Sequence, residues 1–193
     1  MEFQSIDTSP LTTSELQDAA DTLGCKLEDI QAVSHVEAPR GGLLPAPDNR
    51  PVILFESHAF HTATAGVYDA SHPGISTSTW VHNYGPGGAH QYDRLQEALL
   101  LDREAALKSA SWGKYQIMGS NYAEAGYDNV EMFVEDMCTS EDYQLDAFVA
   151  FIQNAGIQKA LDSEDWKSFA YRYNGPGQVE VYAEQIAKAA ANG

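Results

Sequence analysis

Residues 109–119 read SASWGKYQIMG, with Trp112, Tyr115 and Gln116 packed between Gly113 and Gly119. Ser111 has the side chain of a helix N-cap, so the stretch predicts a helix starting near Trp112. Gly113 near its start permits close approach of another backbone or of a ligand. Gln116, one turn on, would then present an amide beside it. A capped, buried helix with glycine for packing fits the same residues equally well.

Outward from this run, helical spacing dominates. Upstream, YDRLQEALLLDREAALKSA (92–110) places Leu95, Ala98 and Leu99 on one side. Downstream, NVEMFVEDM (129–137) and EDYQLDAFVAFIQN (141–154) are amphipathic, the second through Leu145, Phe148, Val149 and Ile152. Ser163 is positioned to cap EDWKSFAYRY, which stops at Asn174-Gly175-Pro176-Gly177, and a last helix follows through VEVYAEQIAKAAA. Near the start, Thr13 or Ser14 caps a helix that Gly24 ends, and LEDIQAVSHVE (27–37) makes a second. Residues 38–51 are a Gly/Pro loop, and VILF (52–55) is a short β-prone run. From His61 to His90 the chain reads as long irregular structure, with seven glycines and prolines between Gly66 and Gly88. The fold class is therefore mainly α: a helical bundle core, a small β element and a long Gly/Pro-rich loop.

At 193 residues, 44% of them hydrophobic, the chain fits one domain with a real core, 1–193. The acidic, charge-bearing start MEFQSIDTSPLTTSELQ does not have the pattern of a Sec signal peptide, and no apolar run has the length of a membrane span. Synthesis in the cytoplasm without a membrane anchor is expected. Cys25 and Cys138 read as two thiols rather than a disulfide framework. The net charge of −17 argues against nucleic acid, whose affinity comes mostly from Lys/Arg neutralising phosphates.

Glu37 follows Val33 by four residues and Ile30 by seven, so it continues an apolar stripe. A carboxyl group held against a core is expensive to ionise, and its pKa rises. Such an acid, at a helix end opening into a glycine-rich loop, suits protonation of a leaving oxygen. A solvent-facing helix-terminal Glu is the plainer reading. Glu56 sits directly after VILF, where pairing with Arg40 or Arg50 is the structural alternative. Two carboxylates flanking one loop are what glycoside cleavage uses. His58 and His61 cluster near Glu56, with His72, His82 and His90 further on, yet HExxH and paired Cys/His spacings are missing. His58 is read as a residue supporting Glu56, with no metal and no cofactor. Tyr173 and Asn174, before the Gly-Pro-Gly turn, offer an aromatic face and an amide suited to a sugar ring.

AVSHVEAPRGGLLP, RPVILFESHAF, YDASHPGIS, the composite run from His90 through SASWGKYQIMGSNY, QLDAFVAFI and FAYRYNGPG occur in that order over about 25–178. Together they resemble the phage-type N-acetylmuramidase domain of endolysins and of antibacterial effector muramidases. The resemblance implies a lysozyme-like α+β fold and a single catalytic domain without a separate wall-binding module. It implies cleavage of the β-1,4 bond between N-acetylmuramic acid and N-acetylglucosamine in peptidoglycan, for bacterial lysis. Glu37 would be the acid and Glu56 the second carboxylate, with Ser111, Gly113, Tyr115, Gln116, Tyr173 and Asn174 along the sugar groove. One departure stands out: the family usually reads V-E-S-G-G, whereas here Ala38-Pro39-Arg40 separate Glu37 from Gly41-Gly42. The alternatives are a lytic transglycosylase giving 1,6-anhydro products, and a non-catalytic peptidoglycan-binding or virion structural protein. A monomer that reaches the periplasm or cell wall through a holin or a secretion system is expected. Because substrate and enzyme are both anionic, activity should rise from low to moderate ionic strength, read directly from lysis rates across a salt series.

Overall fold

A computed structural model describes residues 3–79 and 84–192; His82 lies outside them. Helix α1, Thr13–Leu23, begins one residue earlier than expected. Thr12 is the cap, accepting from the Glu15 amide while the Glu15 carboxylate accepts from Thr12 N at 2.6 Å. Gly24, at φ 71°, ends it in the left-handed conformation that glycine adopts without strain. Helix α2, Leu27–Glu37, has the expected bounds, and its Ile30 and Val33 are fully buried.

Strand β1 (Ile53–Phe55) leads into α3 (Ser57–Ala63), so the segment expected to be irregular from His61 opens with the end of a helix. The turns beyond it are pinned by Asp69, which accepts from Ser76 Oγ at 2.5 Å and lies 2.8 Å from His61 Nδ1. The leucine-rich run forms two helices, α4 (His90–Leu99) and α5 (Arg103–Lys108). The break comes at Asp102, whose extended backbone and side-chain bond to Ala105 N start a new helix.

The expectation of a helix over WGKYQIMG is corrected. Ala110–Trp112 is strand β2 and Ile117–Met118 is β3, joined by a tight turn and followed by a 3-10 turn at Gly119–Asn121. Gly113 (φ 71°) and Gln116 (φ 48°) are both left-handed, and a right-handed helix cannot contain them. Ser111 accordingly caps nothing. The sheet runs β1-β2-β3, antiparallel throughout, pairing Ile53 with Trp112 and Ser111 with Met118. Gly119 abuts the Leu107 carbonyl so closely that a Cβ there would collide with it, which packs the hairpin's exit onto α5.

Helices α6 (Val130–Met137) and α7 (Glu141–Asn154) match expectation. After α8 (Gln158–Asp162), helix α9 (Trp166–Asn174) is capped by Asp165, which accepts from Ser168 N at 3.2 Å; Ser163 instead closes α8. Helix α10, Val179–Ala190, packs on α2 and α9. One apolar cluster joins these pieces, with Trp112, Tyr115, Phe133, Phe148 and Phe169 at its centre. The architecture is mostly helical with a small three-stranded sheet, as the periodicity implied. Both thiols are free; burial pushes Cys25 and Cys138 up to about 12.

Candidate active site

Segments far apart in the chain meet at a cleft of about 320 Å³. The last residue of α2 supplies Glu37, and the residue after β1 supplies Glu56. The hairpin contributes Ser111 and Gln116, and the end of α9 contributes Tyr173 and Asn174. Leu54, Ile117, Met118 and Phe151 give the walls an apolar lining, with Asn121 and Tyr182 completing them.

Glu37 is where the stripe of α2 predicted it. Burial pushes its carboxyl up to about 7, partly offset by hydrogen bonding from Tyr182 and Asn174. The Tyr182 hydroxyl donates to Oε2 at 3.0 Å. Oε1 is buried and has no hydrogen-bond partner among the described residues. An ionised carboxylate in that setting is poorly solvated, so the group keeps its proton to a pH far above that of a surface Glu.

Glu56 has a different environment. Its Oε2 accepts from the Tyr84 hydroxyl at 3.0 Å and lies 3.2 Å from His58 Nδ1. Arg50, the partner suggested by sequence, is instead bidentate to Asp48 at 2.6 and 2.7 Å. Arg94 braces the chain on both sides of Glu56: its buried guanidinium donates to Phe55 O at 2.8 Å and to Ser57 Oγ at 2.6 Å. The carboxylate is thus held at the cleft by neighbours that fix its backbone, while His58 touches it directly.

The remaining sequence-predicted residues divide. Gln116 lines the cleft, but its amide closes the hairpin turn, donating to Val52 O at 3.1 Å and Gly113 O at 2.8 Å and accepting from Ser111 Oγ at 2.8 Å. Tyr173 shows the cleft part of its surface; its hydroxyl donates to Tyr115 O at 2.6 Å and its ring packs on Phe169. Asn174 is exposed at the helix end. Two residues are not in the cleft lining. Tyr115 is buried and stacks on Phe148 with centroids 4.3 Å apart. Gly113 faces α7, where a Cβ would come within 2.6 Å of Gln144 Cδ. Both follow from the strand-turn geometry, which directs the turn's side chains into the core.

Tyr182 and Tyr84 were not anticipated. Tyr182 had a readable signal: it precedes buried Ile186 by four residues on the last helix, and a half-buried phenol needs an acceptor. Tyr84 gave none, lying in a Gly/Pro-rich segment without periodicity.

Comparison with known proteins fits this geometry. Curated proteins give no significant match. A solved structure, the endolysin of the Burkholderia AP3 phage, aligns with a TM-score of 0.81 and 38% identity, covering 94% of this chain and 70% of that one. The profile of the N-acetylmuramidase family matches residues 26–192, a span that includes α10 and Tyr182 as well as both carboxylates. No helix of the described residues is long and apolar enough to cross a membrane. The chain belongs to the N-acetylmuramidase family and is a glycosidase-type peptidoglycan hydrolase with a lysozyme-like fold.

Proposed function

We propose that the protein hydrolyses the β-1,4 bond between N-acetylmuramic acid and N-acetylglucosamine, and that this lyses bacterial walls. Glu37 protonates the glycosidic oxygen. Glu56 activates water or attacks the oxocarbenium-like centre. The observation that carries this reading is the contrast between the two carboxyls lining one cleft. Glu37 is desolvated and pushed up to about 7, whereas Glu56 accepts a phenolic hydrogen bond and lies beside an imidazole. Residues 1–193 act as a single catalytic domain and a monomer. The enzyme is made in the cytoplasm and reaches the wall through a holin or a secretion system.

Digestion of purified peptidoglycan with mass spectrometry of the products tests the reaction. Reducing ends are expected. A 1,6-anhydro end would mean lytic transglycosylation, which needs only one acid/base and would leave Glu56 without a chemical role.

The Tyr182 hydroxyl stabilises the ionised form of Glu37 more than the protonated form, so it holds the pKa down. Wild-type kcat/KM should fall as pH rises through about 7, where Glu37 loses its proton. Tyr182→Phe removes the donor, and the alkaline limb should move upward by about one pH unit. A limb that stays in place, or moves down, in the pH–rate profile would remove Tyr182 from control of the acid.

A further inference from the structure

The chain that follows Glu37 is tied to the hairpin of the cleft through one buried carboxylate. Glu141, the first residue of α7, accepts from Gly42 N at 2.7 Å through Oε1 and from Lys114 Nζ at 2.8 Å through Oε2. Its side chain is 7% exposed and that of Lys114 16%. One turn on, Gln144 accepts from Lys114 N at 2.7 Å and donates to Met137 O at 2.9 Å. The first turn of α7 therefore grips two segments at once, the loop that leaves α2 and the turn between β2 and β3. Gly42 fits between them because it has no side chain: a Cβ there would come within 2.4 Å of Gln144 Oε1 and 2.8 Å of Lys114 N. Gly42 O in turn accepts from Val52 N at 2.8 Å, and Val52 O from Gly113 N at 2.8 Å.

Glu37 is the last residue of α2, five before Gly42. That helix ends on Ala38 at φ −136°, without the left-handed glycine that closes α1, and Ala38 N bonds to Ser34 O. A helix end held so lightly frays unless the chain beyond it is fixed. Here the fixed point is Gly42 on Glu141. A buried ion pair contributes little net stability, because desolvating both charges offsets their attraction, so the geometry it holds is its larger effect.

We infer that Glu141, backed by Lys114, is a positioning residue for the acid: by holding Gly42 it keeps the last turn of α2 wound and Glu37 out of water. The inference rests on the proposed role of Glu37. The groups facing Glu37 are Tyr182 on α10 and Tyr173 and Asn174 on α9, with Glu56 lining the same cleft. Among the described residues, neither Glu141 nor Lys114 bonds to any of these side chains, so a change at the clamp reaches Glu37 through the loop.

Two double variants remove the ion pair alike and differ in the acceptor left for Gly42. Glu141→Gln with Lys114→Met keeps an oxygen there, and Glu141→Leu with Lys114→Met does not. Exchanging a buried pair for uncharged side chains of similar size is commonly neutral for stability, so both should fold. In the Leu variant kcat should fall about tenfold with KM within about twofold, and the alkaline limb of the pH–rate profile should move down by about one pH unit as water reaches Glu37. The Gln variant should stay near wild type in both. Gly42→Ala keeps the pair but wedges the loop off it, and should reproduce the Leu phenotype; it carries the test if the Leu variant does not fold. A limb that stays in place in either folded variant, or equal losses for the Gln and Leu variants, overturns the inference. Failure of both the Leu variant and Gly42→Ala to fold makes the clamp purely structural and overturns it as well. NMR titration of the Glu37 carboxyl, its signal assigned by its loss in Glu37→Gln, should give the same downward movement without turnover. Wild type that releases no sugars while that movement is seen would count against the cleft chemistry and not against the clamp.

Discussion

Glu37→Gln is expected to lower the rate of peptidoglycan cleavage by about 10³–10⁴-fold while making the protein more stable at alkaline pH. The loss of rate follows from removing the proton that the leaving oxygen needs, at the upper range of what a positioned acid contributes. The gain in stability has the same cause. Burial raises the carboxyl from its ordinary 4.5 to about 7 in the folded protein. Between those values the folded state binds more protons than the unfolded chain, so this group's contribution is fully present below about 4.5 and is lost as pH rises through 7. Across that window it removes roughly 3 kcal/mol of folding stability, an order-of-magnitude figure from about 1.4 kcal/mol per pKa unit. Glutamine does not titrate and can still accept from Tyr182. Denaturant melts at pH 4 and pH 8 should therefore show wild type losing ground relative to the variant. Parallel pH dependences would mean that Glu37 ionises easily, and retained activity would mean that it is not the acid.

That prediction was half visible in sequence. The apolar stripe of α2 through Ile30 and Val33 placed Glu37 at the core's edge, because helical period and burial are both local properties. Glu56 was equally legible, since β1 is short and apolar and ends at it. What composition did not disclose was backbone handedness. Gly113 at positive φ is unsurprising, but Gln116 at φ 48° carries no local signal, and its side-chain bonds to Val52 and Gly113 hold the turn in place of intrinsic preference. The resemblance set Tyr115 and Gly113 along the groove, whereas the hairpin points them at Phe148 and Gln144. Tyr182 lies 145 residues from its acceptor Glu37, and a contact of that range depends on how α10 packs on α2. The elements were thus set by periodicity, and the fine assignment of the cleft by tertiary closure.

Glu56→Gln is the second decisive substitution, expected to lower kcat by about 10²–10³-fold with little change in KM. The amide can still accept from the Tyr84 hydroxyl, and Arg94 still fixes Phe55 and Ser57 on either side, so the cleft should keep its shape. What is lost is the negative charge that activates water or meets the developing oxocarbenium ion, an interaction present in the transition state and weak in the ground state. The variant therefore separates two chemistries that share Glu37. A hydrolase needs the second carboxylate and slows sharply. A transglycosylase uses the substrate's own 6-hydroxyl and has no comparable need for it. His58, 3.2 Å from Glu56, provides the internal check: His58→Ala leaves the carboxylate present but less constrained, and its rate should fall between wild type and Glu56→Gln. Steady-state kinetics on solubilised glycan strands, with product masses taken from the same digests, give both answers. An unchanged kcat for Glu56→Gln would reassign the reaction to a single-acid mechanism, with Glu37 acting alone.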